Sequence, residues 1–290
     1  MVLGAGPFEQ TWVGAGEHAA LLENLPNATT IELSSTGRYV EPTFQTPPPC
    51  KRSLLCLGYA NSETGVVQPI AEYCQAWRQA GGGWVHVDGV QAAGRLDVNI
   101  DDLGVDSFAL AAHKFGGVPG IGALLVRNEH RLSPQLLGGG QQHGSRPGTL
   151  QLGGPMAMAA ALECWSPELR ESIRQLRDQL ESDILERLSG TQVIAQAEDR
   201  LPNTIALRIQ GCPGDALLMA LDVNKVSIST GSACSSGSIE PSKALLAMGL
   251  SPDEAREVIR ISLGPNQTQE EMHRFVDELV QTVSRARSFG

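Results

Sequence analysis

A lysine placed at the end of an apolar strand is the residue of this chain with the clearest chemical potential. Five apolar residues, Phe108-Ala-Leu-Ala-Ala112, run into His113-Lys114, and Gly116, Gly117, Pro119 and Gly120 then break the chain before Ala123-Leu-Leu-Val126 resumes. The pattern predicts a buried parallel strand followed by a tight turn that carries Lys114 at the strand's carboxyl end. Ligands of open α/β sheets sit outside such ends. A lysine partly withdrawn from water there can lose its proton and form a Schiff base with a carbonyl. A surface lysine following a core strand fits the same residues.

Two further strand ends carry polar side chains. Ser53–Gly58 runs toward Asn61-Ser62-Glu63, and Trp84–Asp88 ends on a carboxylate with Gln91 three residues on. In parallel neighbours these groups and His113-Lys114 converge on one crevice. A carboxylate facing a lysine suits a pyridine cofactor, whose ring nitrogen the carboxylate keeps protonated while the lysine holds its aldehyde. A structural ion pair is the competing reading. Cys234 stands apart from the other five cysteines: its neighbours in Gly231-Ser-Ala-Cys-Ser-Ser-Gly237 are small, as at an open, reactive thiol rather than a core position. His18 opens a short helical pattern and reads by itself as a cap or a solvent-facing residue. The glycine-rich segment Gly138–Thr149, with Arg146, offers backbone N–H groups to an anion or forms a plain loop.

The elements that must position these residues alternate strand and helix along the first half of the chain. This predicts an α/β fold, a mostly parallel sheet in a large domain over 1–160. A long amphipathic helix with Leu176, Leu180, Ile184 and Leu188 on one stripe leads into a smaller α+β domain over 161–290, which carries the cysteine loop. Residues 34–52, with Pro47-Pro-Pro49, read as a loop.

Bulk properties narrow the partners. The 290 residues have a formal net charge of −10, which argues against nucleic acid and anionic membrane. No apolar run approaches the roughly 18 residues of a membrane span, and no signal peptide is visible, so a cytoplasmic location is expected. The six cysteines lack CxxC or Cys/His spacing, so neither a disulfide framework nor a metal site is expected.

The ordered motifs carry a resemblance. Ala60-Asn-Ser-Glu-Thr-Gly-Val-Val-Gln-Pro69, His86-Val-Asp-Gly-Val-Gln-Ala-Ala-Gly94, His113-Lys114, Gly138-Gly-Gly-Gln with Arg146-Pro-Gly-Thr149, Thr230-Gly-Ser-Ala-Cys-Ser235 and Ile259-Arg-Ile-Ser-Leu-Gly264 follow one another as in the cysteine desulfurases. The chain resembles that family of the class V aminotransferase superfamily, pyridoxal-phosphate enzymes of fold type I. The resemblance implies that Lys114 binds the cofactor aldehyde, Asp88 pairs with the pyridine nitrogen and Gln91 reaches the phenolic oxygen. It also implies that His18 stacks on the ring, His113 touches the phosphate, and Thr149 does so from the second subunit of a homodimer. Arg260 would clamp the carboxylate of L-cysteine, and Cys234 would take the sulfur as a persulfide, destined for an acceptor protein of iron–sulfur cluster assembly or another thiolation route.

The chain also departs from the family. An N-terminal segment with a Gly-Thr phosphate turn has no counterpart, so the chain is expected to be N-terminally shortened. Ser62 stands where a cofactor-contacting asparagine is usual, and Ala111 where a phosphate-binding serine is usual. Losing charge-assisted hydrogen bonds of roughly 1.5–3 kcal/mol each weakens cofactor binding. A non-catalytic scaffold or sulfur relay, and a selenocysteine lyase, are the alternative expectations.

Overall fold

The computed structural model describes residues 2–40, 44, 50–127, 132–231 and 240–288. The chain divides into two compact units, Met1–Ile31 with Tyr39–Tyr59 and Gln68–Trp165, and Glu32–Arg38 with Ala60–Val67 and Ser166–Gly290.

The first unit holds the expected sheet. Its strands are β1 (Gln10–Gly14), β2 (Thr29–Ile31), β3 (Ser53–Gly58), β4 (Trp84–Asp88), β5 (Ser107–Ala111) and β6 (Gly122–Val126), in the order β2-β1-β3-β4-β5-β6. All neighbours are parallel except β5 and β6, which are antiparallel. Every residue of β3 is buried, which is why its apolar run shows no alternation: a central parallel strand has both faces covered. The helices are α1 (Val2–Ala5), α2 (Ala19–Leu22), α3 (Ile70–Gln79), α4 (Ile100–Leu103) and α5 (Gly153–Glu163). Pro69 caps α3, as its fixed φ allows. Trp77 of α3 anchors the helix to the sheet, meeting Trp12 edge-on at 5.0 Å and Phe44 at 4.9 Å. α4 has no apolar periodicity to announce it, and its start rests on Asn99, whose side chain accepts the Asp101 N–H at 3.1 Å.

The second unit is the smaller α+β assembly. The antiparallel sheet β7 (Thr191–Val193), β8 (Thr204–Ile209), β9 (Ser229–Thr230) and β10 (Val258–Ser262) has the order β7-β8-β10-β9. Around it lie α6 (Pro167–Arg187), α7 (Gly214–Val223), α8 (Lys243–Ala247), α9 (Pro252–Arg256) and α10 (Gln269–Ser288). β9 pairs with β10 through Ser229 opposite Arg260 and Thr230 opposite Ile259. The buried stripe of α6 differs from the expected leucine row: Arg177 and Glu181 lie in it beside Ile173, Leu180 and Ile184. Glu181 is tolerated there because Arg200 binds it through two nitrogens at 2.6 and 2.9 Å.

The division by contacts falls between Trp165 and Ser166, with two excursions that the expected boundary at 160/161 does not contain. Residues 60–67 belong to the second unit because Leu201 N–H donates to the Gly65 carbonyl and Val67 N–H to the Asp199 carbonyl, both at 2.8 Å. Of the loop expected over 34–52, residues 41–43 and 45–49 lie outside the described residues. Cys56, Cys74 and Cys212 are buried as small core residues, whereas Cys164 is exposed. Among the described residues no helix is long and apolar enough to cross a membrane, and no group of three His, Cys, Asp or Glu side chains is placed to hold a metal ion.

Candidate active site

The carboxyl ends of β3, β4 and β5 gather the site of the first unit. Asp88 closes β4, facing Gly58 of β3 and Ala109 of β5 in register. Its Oδ1 accepts the Val90 N–H at 3.0 Å, which turns the chain immediately after the strand. Burial pushes the Asp88 carboxyl up, while the Val90 N–H and the charges of His18 and Lys114 pull it down. The charges of His18 and Lys114 thus reach Asp88 at one end of the sheet.

Lys114 ends the single turn Ala112–Lys114 that follows β5. It is partly exposed between buried Ala112 and Phe115, so the turn is pinned from both sides while the amine stays reachable. Arg95 joins this turn to the segment after β4. Its Nη2 donates to the Lys114 carbonyl, and its Nη1 donates to the Gln91 side-chain oxygen and, at 3.2 Å, to the Gln91 carbonyl. With the Gln91 oxygen engaged, its amide N–H2 is the end available to an acceptor.

His18 is the N-cap of α2, and its Nδ1 accepts the Ala20 N–H at 3.1 Å. The capping role that the sequence suggests is present, and the ring is exposed. His113 is exposed beside Lys114, and Thr149 is exposed in the segment after β6. In that segment the Gly148 N–H donates to Gln141 Oε1 at 3.2 Å and Arg146 Nη1 to the Pro147 carbonyl at 2.8 Å.

Glu17 was not singled out by the sequence, and it lies at the centre of this end of the sheet. Its Oε1 accepts the Gly58 N–H at 2.6 Å and the Tyr39 hydroxyl. Burial pushes its carboxyl up to about 7, opposed by these two hydrogen bonds and aided by the negative charge of Asp88. The group is packed so closely that a Cβ on Gly58 would stand 2.7 Å from Glu17 Oε2, and one on Gly14 would stand 2.4 Å from the Tyr39 ring. Adjacency to His18 is the only sequence signal for Glu17. Tyr39 has none, and Arg95 is marked only by following the Gly94 turn.

The second unit holds the remaining candidates. Arg260 of β10 donates from Nη1 to the Ser62 carbonyl at 2.9 Å and from Nη2 to Ser229 Oγ at 3.2 Å. Each terminal nitrogen keeps a second N–H, as a two-point carboxylate contact requires. Ser62 sits in a turn built by Asn61, whose Oδ1 accepts the N–H groups of Glu63 and Thr64, both at 2.9 Å. Glu63 lies beside Arg260: burial raises its carboxyl, and the Ser242 hydroxyl and the Arg260 charge oppose this. Cys234 falls outside the described residues.

The donor set of the first unit fits pyridoxal phosphate. A partly buried carboxyl group is available for a ring nitrogen, an amide for a phenolic oxygen, and an amine for an aldehyde.

Comparison with known proteins agrees with this chemistry. Residues 17–275 match the model of aminotransferase class-V. The chain is 34% identical over 240 residues to the cysteine desulfurase IscS of Dictyoglomus turgidum, covering 82% of this chain and 61% of that protein. It is 34% identical over 282 residues to a cysteine desulfurase of Cereibacter sphaeroides, covering 94% of this chain and 73% of that protein. The X-ray structure of a NifS-like protein from Rickettsia africae superposes with a TM-score of 0.84 at 27% identity, over 95% of this chain and 76% of that one. The match to the Dictyoglomus protein thus spans less than two thirds of that relative's length. With the mostly parallel sheet and the motif matches extending through most of both units, the chain belongs to the aminotransferase class-V family, among its cysteine desulfurases.

Proposed function

We propose that this protein is a pyridoxal-phosphate-dependent cysteine desulfurase of the cytoplasm. It converts L-cysteine to L-alanine, leaves the sulfur on Cys234 as a persulfide, and passes it to an acceptor protein for iron–sulfur cluster assembly or thiolation. The observation that carries the reading is the placement of Asp88 at the strand ends, where the charges of His18 and Lys114 reach it, with Arg95 tying Gln91 to the Lys114 backbone.

Asp88 would hold the ring nitrogen of the cofactor, Gln91 its phenolic oxygen, and His113 its phosphate, with His18 over the ring and Ser62 as a further contact. Bound there, pyridoxal phosphate supplies an electron sink for charge developing at the substrate α-carbon. Lys114 Nζ is the base that moves the α-proton. Arg260 holds the substrate carboxylate through the N–H groups that Ser62 and Ser229 leave free. The Cys234 thiolate would attack the substrate sulfur, forming an S–S bond as the C–S bond breaks; the C–S electron pair stays with the carbon, which takes up a proton as alanine leaves. A homodimer, in which Thr149 serves the partner's cofactor, is supported by the exposed apolar side chains Leu137, Leu152 and Met156 flanking Thr149.

The test is the purified chain with pyridoxal phosphate and L-cysteine. Alanine and an enzyme-bound persulfide are expected, both lost in Lys114→Ala, whereas Cys234→Ser keeps cofactor binding and forms no persulfide. Cofactor binding without alanine would replace the reading with a non-catalytic sulfur relay. Preference for selenocysteine in competition would replace it with a selenocysteine lyase.

A further inference from the structure

Glu17 is a carboxylic acid that the proposed reaction does not use, one strand away from a carboxylate that it does. Its chain neighbour is His18, and its hydrogen-bond donor Gly58 is the register partner of Asp88. Both donors, the Gly58 N–H and the Tyr39 hydroxyl, converge on Oε1. Oε2 is left as the oxygen that carries a proton. Both glycines flanking the pair, Gly14 and Gly58, approach it so closely that no side chain fits.

We propose that Glu17 is a positioning residue: its carboxyl group clamps the end of β3 and sets the charge experienced by Asp88, the register partner of Gly58.

The groups that face it are Tyr39 from the connecting segment, Cys56 from β3, Asp88 from β4 and His18 beside it in the chain. None of these is a fixed cation. A carboxylate here therefore adds a second negative charge to the one on Asp88, and a low-dielectric surrounding resists that. Protonated, Glu17 leaves Asp88 as the anion for a cation at the strand ends. Ionised, as its raised value of about 7 permits just above neutrality, it adds a second anion beside Asp88. The clamp is independent of this charge, since Oε1 accepts in either state.

The effect on the cofactor rests on the function proposed above, and the effect on the protein's own proton balance does not. The two are separated by Glu17→Gln, which keeps the accepting oxygen and replaces the acid O–H by N–H2. Unfolding of the cofactor-free protein by denaturant, compared between wild type and Glu17→Gln at a series of pH values, reads the proton balance directly. Between about pH 5 and 7 the folding constant of the variant relative to wild type is expected to rise about tenfold per pH unit, because wild type holds one more proton folded than unfolded. A constant ratio over that range overturns the proposal. In parallel, the absorbance of added pyridoxal phosphate bound to each protein is followed against pH. The midpoint is expected at lower pH in Glu17→Gln, which lacks the added anion beside Asp88, and an unchanged midpoint overturns the influence on the charge at the strand ends. Failure of both proteins to bind pyridoxal phosphate counts against the proposed function, and the unfolding comparison still decides the proton on Glu17.

Discussion

The carboxyl group of Glu17 sits 2.6 Å from the backbone nitrogen of Gly58, accepting its N–H at the point where β3 ends beside Asp88. The contact is possible because residue 58 has no side chain. It joins the turn that presents His18 to the strand end that faces the candidate cofactor carboxylate.

A methyl group at position 58 is expected to be destabilising for steric reasons alone. Its carbon would meet Glu17 Oε2 at 2.7 Å and Oε1 at 3.0 Å. Gly58→Ala should lower stability by about 1–3 kcal/mol, the range for overpacking. In a Glu17→Ala background the same change should cost much less. A double-mutant cycle by urea denaturation checks this, and additive effects would mean that the two residues do not interact.

Arg95 should matter to cofactor retention more than to folding. It spans Gln91 and the Lys114 carbonyl through two nitrogens, a reach that lysine lacks. Arg95→Lys should weaken pyridoxal-phosphate binding by about tenfold or more, the loss of one charge-assisted hydrogen bond being worth about 1.5–3 kcal/mol. Fluorescence titration with the cofactor measures this, with circular dichroism as the check that the fold persists.

In the second unit, Glu181 and Arg200 form a two-point ion pair whose side chains are only 5% and 3% exposed. Removing one partner strands the other charge. Glu181→Ala should cost about 3–5 kcal/mol, whereas the joint replacement of both residues by apolar ones should cost much less. Thermal unfolding of the two variants distinguishes these outcomes.

His86 supplies an acid-sensitive term of opposite sign to Glu17. Ser107 Oγ accepts the Trp84 Nε1–H at 2.9 Å and pairs with His86 Nδ1, also at 2.9 Å. Burial pushes the imidazole down from 6.5 to about 3. The unfolded chain then binds more protons than the folded one between these values. The contribution is fully present above about pH 6.5 and is lost as pH falls toward 3. In His86→Asn, whose Oδ1 can take the Ser107 hydrogen, this loss should vanish from the pH dependence of denaturant unfolding. An unchanged acid slope would show that His86 is not held neutral.

The strands beneath the candidate site were legible in the sequence. The apolar runs ending in Asp88 and in His113-Lys114 read as parallel strands because burial on both faces leaves no alternation, and the side chains after such runs lie at one edge of the sheet. The motifs around them carried the family resemblance. What local sequence could not determine was pairing at a distance. Glu17 and Tyr39 are 22 residues apart and Glu17 and Gly58 are 41 apart, so no periodicity links them, and the weakened acidity of Glu17 comes from burial that only packing creates. The same holds for Arg95 on the Lys114 carbonyl and for the charged pair within the α6 stripe. The residue types and spacing determined which chemistry this chain carries; the tertiary structure decided which neighbours set the charge on it, because desolvation and charge–charge energies depend on distances in space rather than along the chain.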